Sequence, residues 1–349
     1  MKHDSTVIRP VNPPARWQDM VLPFQVPATG RAVWQLVNTL VPLMFLYYAM
    51  YQSLAYSYWL TLLLAIPTAG LIVRTFIIQH DCGHGSFFQS TRANDIIGTI
   101  CSFISIVPYY QWRHEHSIHH ATSGNLSRRG VGDVSTITVK EYLALSRWGR
   151  FSYAVYRNPL VMFLIGPIYV FALSARFIGN SSGRREKRSV HLTNLAILVQ
   201  VVGWSMTIGW SALALIYVPT FIISGGVGIW LFYVQHQFET TYWKDSTDWD
   251  YATSALHGSS YYKLPAILQW FTGNIGFHHI HHLSPKVPNY NLQRCHDETP
   301  HFRNVTTFGI FQSFRCASLR LWDEESNRMV GFDYLRSLKG VDAAQGPVS

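Results

Sequence analysis

The chain has 349 residues, a net charge of +9, 48% hydrophobic residues and only 13% charged ones. A water-soluble domain usually carries about 25% charge, so the composition excludes an ordinary soluble enzyme and points to a membrane protein. Its basic residues flank apolar runs rather than forming one stripe, which argues against a nucleic-acid partner. Cys82, Cys101, Cys295 and Cys316 show no CxxC spacing, so neither a disulfide framework nor a thiolate metal site is expected.

In chain order, residues 1–32 read as a cytosolic leader, because MKHDSTVIRPVNPPAR lacks the apolar core of a signal peptide and is broken by proline. Residues 34–51 and 54–78 are apolar runs close to the roughly 20 residues a spanning helix needs. Gln52 and Ser53 between them predict a helical hairpin. Residues 192–209 and 211–234 predict a second hairpin, turning near Gly209 and Trp210. Within the last run, Gly225-Gly226-Val227-Gly228 fits either a close helix contact or a loosened turn.

No Lys or Arg lies between Arg31 and Arg74, nor between Arg188 and Lys244, whereas residues 79–190 are rich in both. The positive-inside rule then puts the N-terminus, the middle segment and the C-terminal segment in the cytosol, with the boxes described below on that face of the inner (plasma) membrane. Two shorter runs, residues 95–110 and 159–173, read as interfacial or re-entrant. A crossing by the first would put residues 80–84 and 116–120 on opposite faces. Residues 180–190 form a basic loop, residues 33–310 a membrane domain and residues 311–349 a cytosolic tail, disordered after about residue 338. The predicted fold class is all-α integral membrane: four transmembrane helices in two hairpins under a cytosolic helical cap.

The chain contains 16 His, and their placement is patterned. Box one is His80-Asp81-Cys82-Gly83-His84, box two His116-Ser117-Ile118-His119-His120, and box three His278-His279-Ile280-His281-His282. His236 follows the fourth apolar run. Residues i, i+3 and i+4 share one helix face, so His80 and His84, then His116, His119 and His120, then His278, His281 and His282 can each aim imidazoles at one point. With His236 the set holds nine candidate ligands. Zinc takes about four ligands, so nine suit two metals at four or five each. Imidazole serves iron, zinc, copper and nickel alike; the lipid setting favours redox work on an apolar substrate, hence iron. Carboxylate-bridged di-iron bundles use Glu-x-x-His pairs, which this sequence lacks. His114 and His279 lie off the shared faces, and His3, His191, His257, His296 and His301 are isolated. Asp81, Asp133, Glu239 and Asn274 are candidates by proximity for orienting the imidazoles or, for Asn274, for holding a water on a metal, and each equally fits a helix cap or an exposed polar residue.

At these residues the chain resembles the membrane fatty acid desaturases, whose H-x(3)-H, H-x(2)-H-H and second H-x(2)-H-H boxes are matched at every His. Trp112-Arg113 before box two and Asn274-Ile275-Gly276-Phe277 before box three agree as well. The likeness covers roughly residues 35–310 and looks closest to bacterial acyl-lipid enzymes of the omega-6 (delta-12) or delta-5 type. It implies a di-iron centre that uses O2 to place a cis double bond in the acyl chain of a membrane lipid. It also implies an apolar tunnel for that chain and an external electron donor such as ferredoxin. The alternative is a di-iron lipid hydroxylase or a carotenoid ketolase or hydroxylase. An alkyl chain offers no polar handle, so position would be chosen by tunnel shape and registry; one methylene in an apolar pocket is worth only about 1–3 kcal/mol.

Overall fold

The computed structural model describes residues 16–179 and 182–338. α1 (Trp17–Val21) precedes the first hairpin, α2 (Thr29–Ser53) and α3 (Tyr58–His84). At 1.5 Å per residue, helices of 25 and 27 residues measure about 38–40 Å against a hydrocarbon core of about 30 Å. Each therefore has a turn or more to spare outside the lipid. Ser53 Oγ lies 2.7 Å from Thr61 Oγ1 and ties the hairpin turn. α3 runs six residues beyond the apolar run that announces it, so box one forms its final turns. The helix stops at once after His84, because Gly85 takes the left-handed conformation (φ 65°) and its N–H and that of Ser86 return to the Cys82 and Asp81 carbonyls.

α4 (Thr91–Ser105) has 15 residues, about 22 Å, too short to cross the hydrocarbon. Ile96 and Ile100 face outward while Gly98 abuts the Tyr109 ring. The chain reverses at Ile106 (φ 56°), and α5 (Tyr109–Thr122) runs back toward α3. Tyr109 pins this return by donating to the Cys82 carbonyl at 2.8 Å. Residues 95–110 thus make a surface hairpin, and boxes one and two stay on one side.

β1 (Ile137–Thr138) and α6 (Val139–Ala144) lead to α7 (Arg147–Tyr156). α7 bends by 61° into a helix over Val161–Arg176, whose Val161–Ile165 and Ile168–Leu173 stretches are π-wound. This is the apolar run at residues 159–173, and it packs on the second hairpin, α8 (Arg184–Ile208) and α9 (Trp210–His236). The contact settles the role of the α9 glycines. A Cβ on Gly225 would sit 2.7 Å from Pro167 Cβ, and one on Gly226 2.8 Å from the Phe163 carbonyl oxygen. They make a close helix contact, not a loosened turn. Gly209 (φ 83°, ψ 156°) makes the sharp turn between α8 and α9. Among the described residues, α2, α3, α8 and α9 are the single helices long and apolar enough to cross a membrane.

The cap continues with α10 (Tyr251–His257), β2 (Tyr261–Tyr262), α11 (Ala266–Phe271), α12 (His278–Leu283) and α13 (Asn289–Glu298). β3 (Thr307–Phe308), α14 (Ile310–Ser313), β4 (Leu321–Asp323) and β5 (Arg328–Val330) follow. Two small sheets were not foreseen: β1 lies parallel to β4, which pairs antiparallel with β5, and β2 lies parallel to β3. Residues 16–28 pack against this C-terminal part: Val21 and Phe24 join Phe277, Ile280 and Leu292 in one core cluster, and Gln25 donates to Ser284 at 2.9 Å. The tail after residue 338, expected to be disordered, lies outside the described residues, as do His3 and most of the proline-rich leader.

Candidate metal centre

Each element delivers its histidines by ending, or by being short, at one place. His80 and His84 occupy the last turns of α3, His116, His119 and His120 those of α5, and His236 is the final residue of α9. α12 is little more than the third box itself. It is held in place by Tyr251, whose hydroxyl donates to the His282 carbonyl at 2.7 Å. Lys286, just beyond, donates to the His84 carbonyl at 2.8 Å and so joins box three to box one. Eight of the nine imidazoles are buried and His84 is half-buried.

The nine sort into two groups. His80, His84, His116, His120 and His281 bring one ring nitrogen each within 4.8 Å of one another, and so do His119, His236 and His282. His278 adjoins the second group, its Nε2 3.0 Å from that of His236. The boxes are therefore shared crosswise. Within each box the i, i+4 pair serves one group: His80 with His84, His116 with His120, His278 with His282. The i+3 residue, His119 or His281, goes to the other. Helix geometry explains the split: at about 100° per residue, positions i+3 and i+4 diverge by about 100° around the axis, to opposite shoulders of the face.

Hydrogen bonds behind the rings fix their tautomers. His80 Nδ1 lies 3.0 Å from Asp81 Oδ1. His119 Nδ1 bonds Asp133 Oδ1, and His236 Nδ1 bonds the Gly258 carbonyl at 3.1 Å. A carbonyl and a carboxylate only accept, so Nδ1 carries a proton, and in the neutral ring Nε2 then presents a bare lone pair. The Nε2 atoms of His119 and His236 nevertheless face each other at 3.3 Å. Two lone pairs at that range repel unless a cation sits between them. Cis nitrogens bound at about 2.1 Å to one metal would themselves lie about 3 Å apart. The buried Nε2 atoms of His84 and His282 have no hydrogen-bond partner, which a metal ion would supply. Burial first, then neighbouring imidazoles, hold His116, His120, His278, His281 and His282 well below the usual histidine range. They are neutral at pH 7, the form that ligates. The residues present thus fit two metal ions.

Of the four orienting candidates, Asp81 and Asp133 stand behind imidazoles, and Asp81 Oδ2 also accepts from the Asn289 backbone and side chain at 2.6 and 2.9 Å. The other two expectations are corrected. Glu239 pairs with Arg328 at the surface, 3.7 Å away, because the chain leaves helical geometry at Gln237 and carries Glu239 outward. Asn274 spends its side chain on Gln269 and the Asn289 carbonyl; it shapes the left-handed turn (φ 58°) ahead of box three. His279, off the shared face as read, is buried against Tyr261 and His296. The Gly258 carbonyl behind His236 carried no sequence signal; Trp112, singled out only as context for box two, stacks its ring on His116 at 4.4 Å and 21°.

The fatty acid desaturase family model matches residues 56–307, a span that holds all nine histidines. The chain belongs to the fatty acid desaturase family. This desaturase is 46% identical over 329 residues to a fatty acid desaturase of Bacillus subtilis, covering 94% of this chain and 93% of the relative. It is 27% identical over 258 residues to a chloroplastic omega-6 fatty acid desaturase of Arabidopsis thaliana, covering 70% of this chain and only 54% of the plant protein. It is 28% identical over 237 residues to a Synechocystis sn-1 acyl-lipid omega-3 desaturase (ferredoxin), covering 63% of this chain and 62% of that one. The desaturase is an oxidoreductase of fatty acyl chains, and its four apolar helices are those of a membrane protein.

Proposed function

We propose that the desaturase holds two iron ions on His80, His84, His116, His119, His120, His236, His278, His281 and His282 and uses O2 to place a cis double bond in the acyl chain of a membrane lipid. The observation that carries the metal reading is the pair of bare nitrogens, His119 Nε2 and His236 Nε2, facing each other at 3.3 Å with their other nitrogens already committed to acceptors. When bound, the iron pair would supply the oxidising power to take two hydrogens from adjacent methylenes, O2 being reduced to two waters with those two hydrogens plus two electrons and two protons from outside.

The protein's own residues do the rest. Asp81, Asp133 and the Gly258 carbonyl hold three rings in the ligating tautomer. Burial favours the neutral, ligating form of His116, His120, His278, His281 and His282. Placing the cluster at the ends of α3 and α9 sets it at the edge of the lipid, where an acyl chain arrives without leaving hydrocarbon. The Lys and Arg distribution supports a cytoplasmic face of the inner membrane for the boxes and both termini. The Synechocystis relative's name supports a lipid-borne acyl chain and a ferredoxin-type donor.

The test is expression in a host that lacks the product, with gas chromatography–mass spectrometry of its lipids and iron analysis of the purified protein. New double bonds and about two irons per chain are expected, both lost or reduced in His120→Ala and His281→Ala. New oxygen on an otherwise unchanged chain would replace the desaturase reading with a hydroxylase. Full iron and turnover in the variants would sink the ligand assignment.

A further inference from the structure

Arg157 caps the C-terminal end of α7, where the chain begins to bend, and it is 0% exposed. A buried cation is costly unless it is paired or fully hydrogen-bonded. The six acceptors around this guanidinium are all neutral oxygens. Nη1 reaches the Ser135 carbonyl at 2.8 Å, Thr136 Oγ1 at 3.3 Å and the Tyr153 hydroxyl at 3.3 Å. Nη2 reaches Gln237 Oε1 at 2.9 Å, the Leu319 carbonyl at 3.1 Å and the Tyr233 hydroxyl at 3.2 Å.

Three of these partners adjoin the metal centre, from two different parts of the chain. Ser135 and Thr136 follow Asp133, whose carboxylate holds His119. Gln237 follows His236, and its Oε1 also accepts from Thr136 Oγ1 at 3.1 Å. Arg157, Thr136 and Gln237 therefore form a closed triangle behind His119 and His236. Both of those histidines belong to the second group, and no member of the first group is reached this way.

We propose that Arg157 is a positioning residue for the second metal site: it fixes the spacing between the segment carrying Asp133 and the end of α9, and so the facing of His119 and His236. The inference rests on the two-iron reading above. Lysine would keep the charge but cannot span six acceptors on four segments.

The experiment is iron per chain in detergent-purified protein, measured beside size-exclusion elution and thermal unfolding. Wild type should hold about two irons, Arg157→Lys about one, and His236→Ala about one. Adding Arg157→Lys to His236→Ala should remove nothing more, whereas adding it to His84→Ala should leave little or none. Gln237→Leu cuts the same triangle at a less demanding residue and should also hold about one iron, which keeps the test open if Arg157→Lys does not fold. A wild type without iron overturns the two-iron reading itself. A wild type with two irons, beside Arg157→Lys and Gln237→Leu variants that keep both or shed both together, overturns the positioning role.

Discussion

At the scale of single residues, the centre depends as much on what stands behind the imidazoles as on the imidazoles. Asp133 accepts from His119 Nδ1, and Asn in its place can offer an N–H where a proton already points. Such partners typically contribute 10–100-fold in metal affinity. Asp133→Asn is therefore expected to lower iron affinity by about that factor, read by titration with a competing chelator, while Glu239→Gln leaves it unchanged. The pH response follows from the depressed histidines. In the metal-free fold His116, His120, His278, His281 and His282 stay neutral, whereas in the unfolded chain they titrate near 6.5. Below that pH the unfolded state binds more protons, so the stability present above about pH 6.5 is lost as pH falls. Thermal unfolding of chelator-stripped protein between pH 8 and 5 should show Tm constant at the upper end and falling below about 6.5. A Tm that rises on acidification would contradict it.

At the scale of elements, the close contact between α9 and the bent helix is the point most sensitive to a single methyl group. A Cβ at Gly226 meets backbone, the Phe163 carbonyl oxygen, which cannot rotate away. Overpacking of this kind costs about 1–3 kcal/mol. Gly228, one residue past Val227 on the same helix, has nothing within 4 Å of its Cβ position. Gly226→Ala should lower Tm in detergent and Gly228→Ala should not; equal effects would mean that this close contact is not formed in the purified protein. The four spanning helices were legible because apolar runs and gaps in Lys and Arg are one-dimensional signals. So were the three boxes, since i, i+3 and i+4 fix a direction on a helix. That logic stops where the helix stops. Glu239 is three residues from His236 yet points away, because α9 has already ended. The Gly258 carbonyl and the two small sheets depend on which distant segments meet, and local pattern carries no trace of that.

At the scale of the whole molecule, the hairpins do one job: they return the chain to the same face each time. α3 and α9 both end at the cluster, and the turns at residues 54–57 and at Gly209 lie at the far ends of their helices. Single cysteines at Ala55 and Trp210 should react with an impermeant thiol reagent from outside intact cells, and one at Arg128 only after permeabilisation. Labelling of Arg128→Cys and Ala55→Cys from the same side would rule out this topology.

The crosswise sharing of the boxes has a consequence for anyone who would simplify the protein. Neither metal pocket is a detachable module, since box two and box three each supply both. A descendant with one histidine group cannot be made by deleting a segment. It requires four point changes spread over three helices, at His119, His236, His278 and His282, with apolar residues to fill the vacated volume. The five imidazoles left behind, His80, His84, His116, His120 and His281, would still be framed by the same helix ends, and would show what one such group can hold by itself.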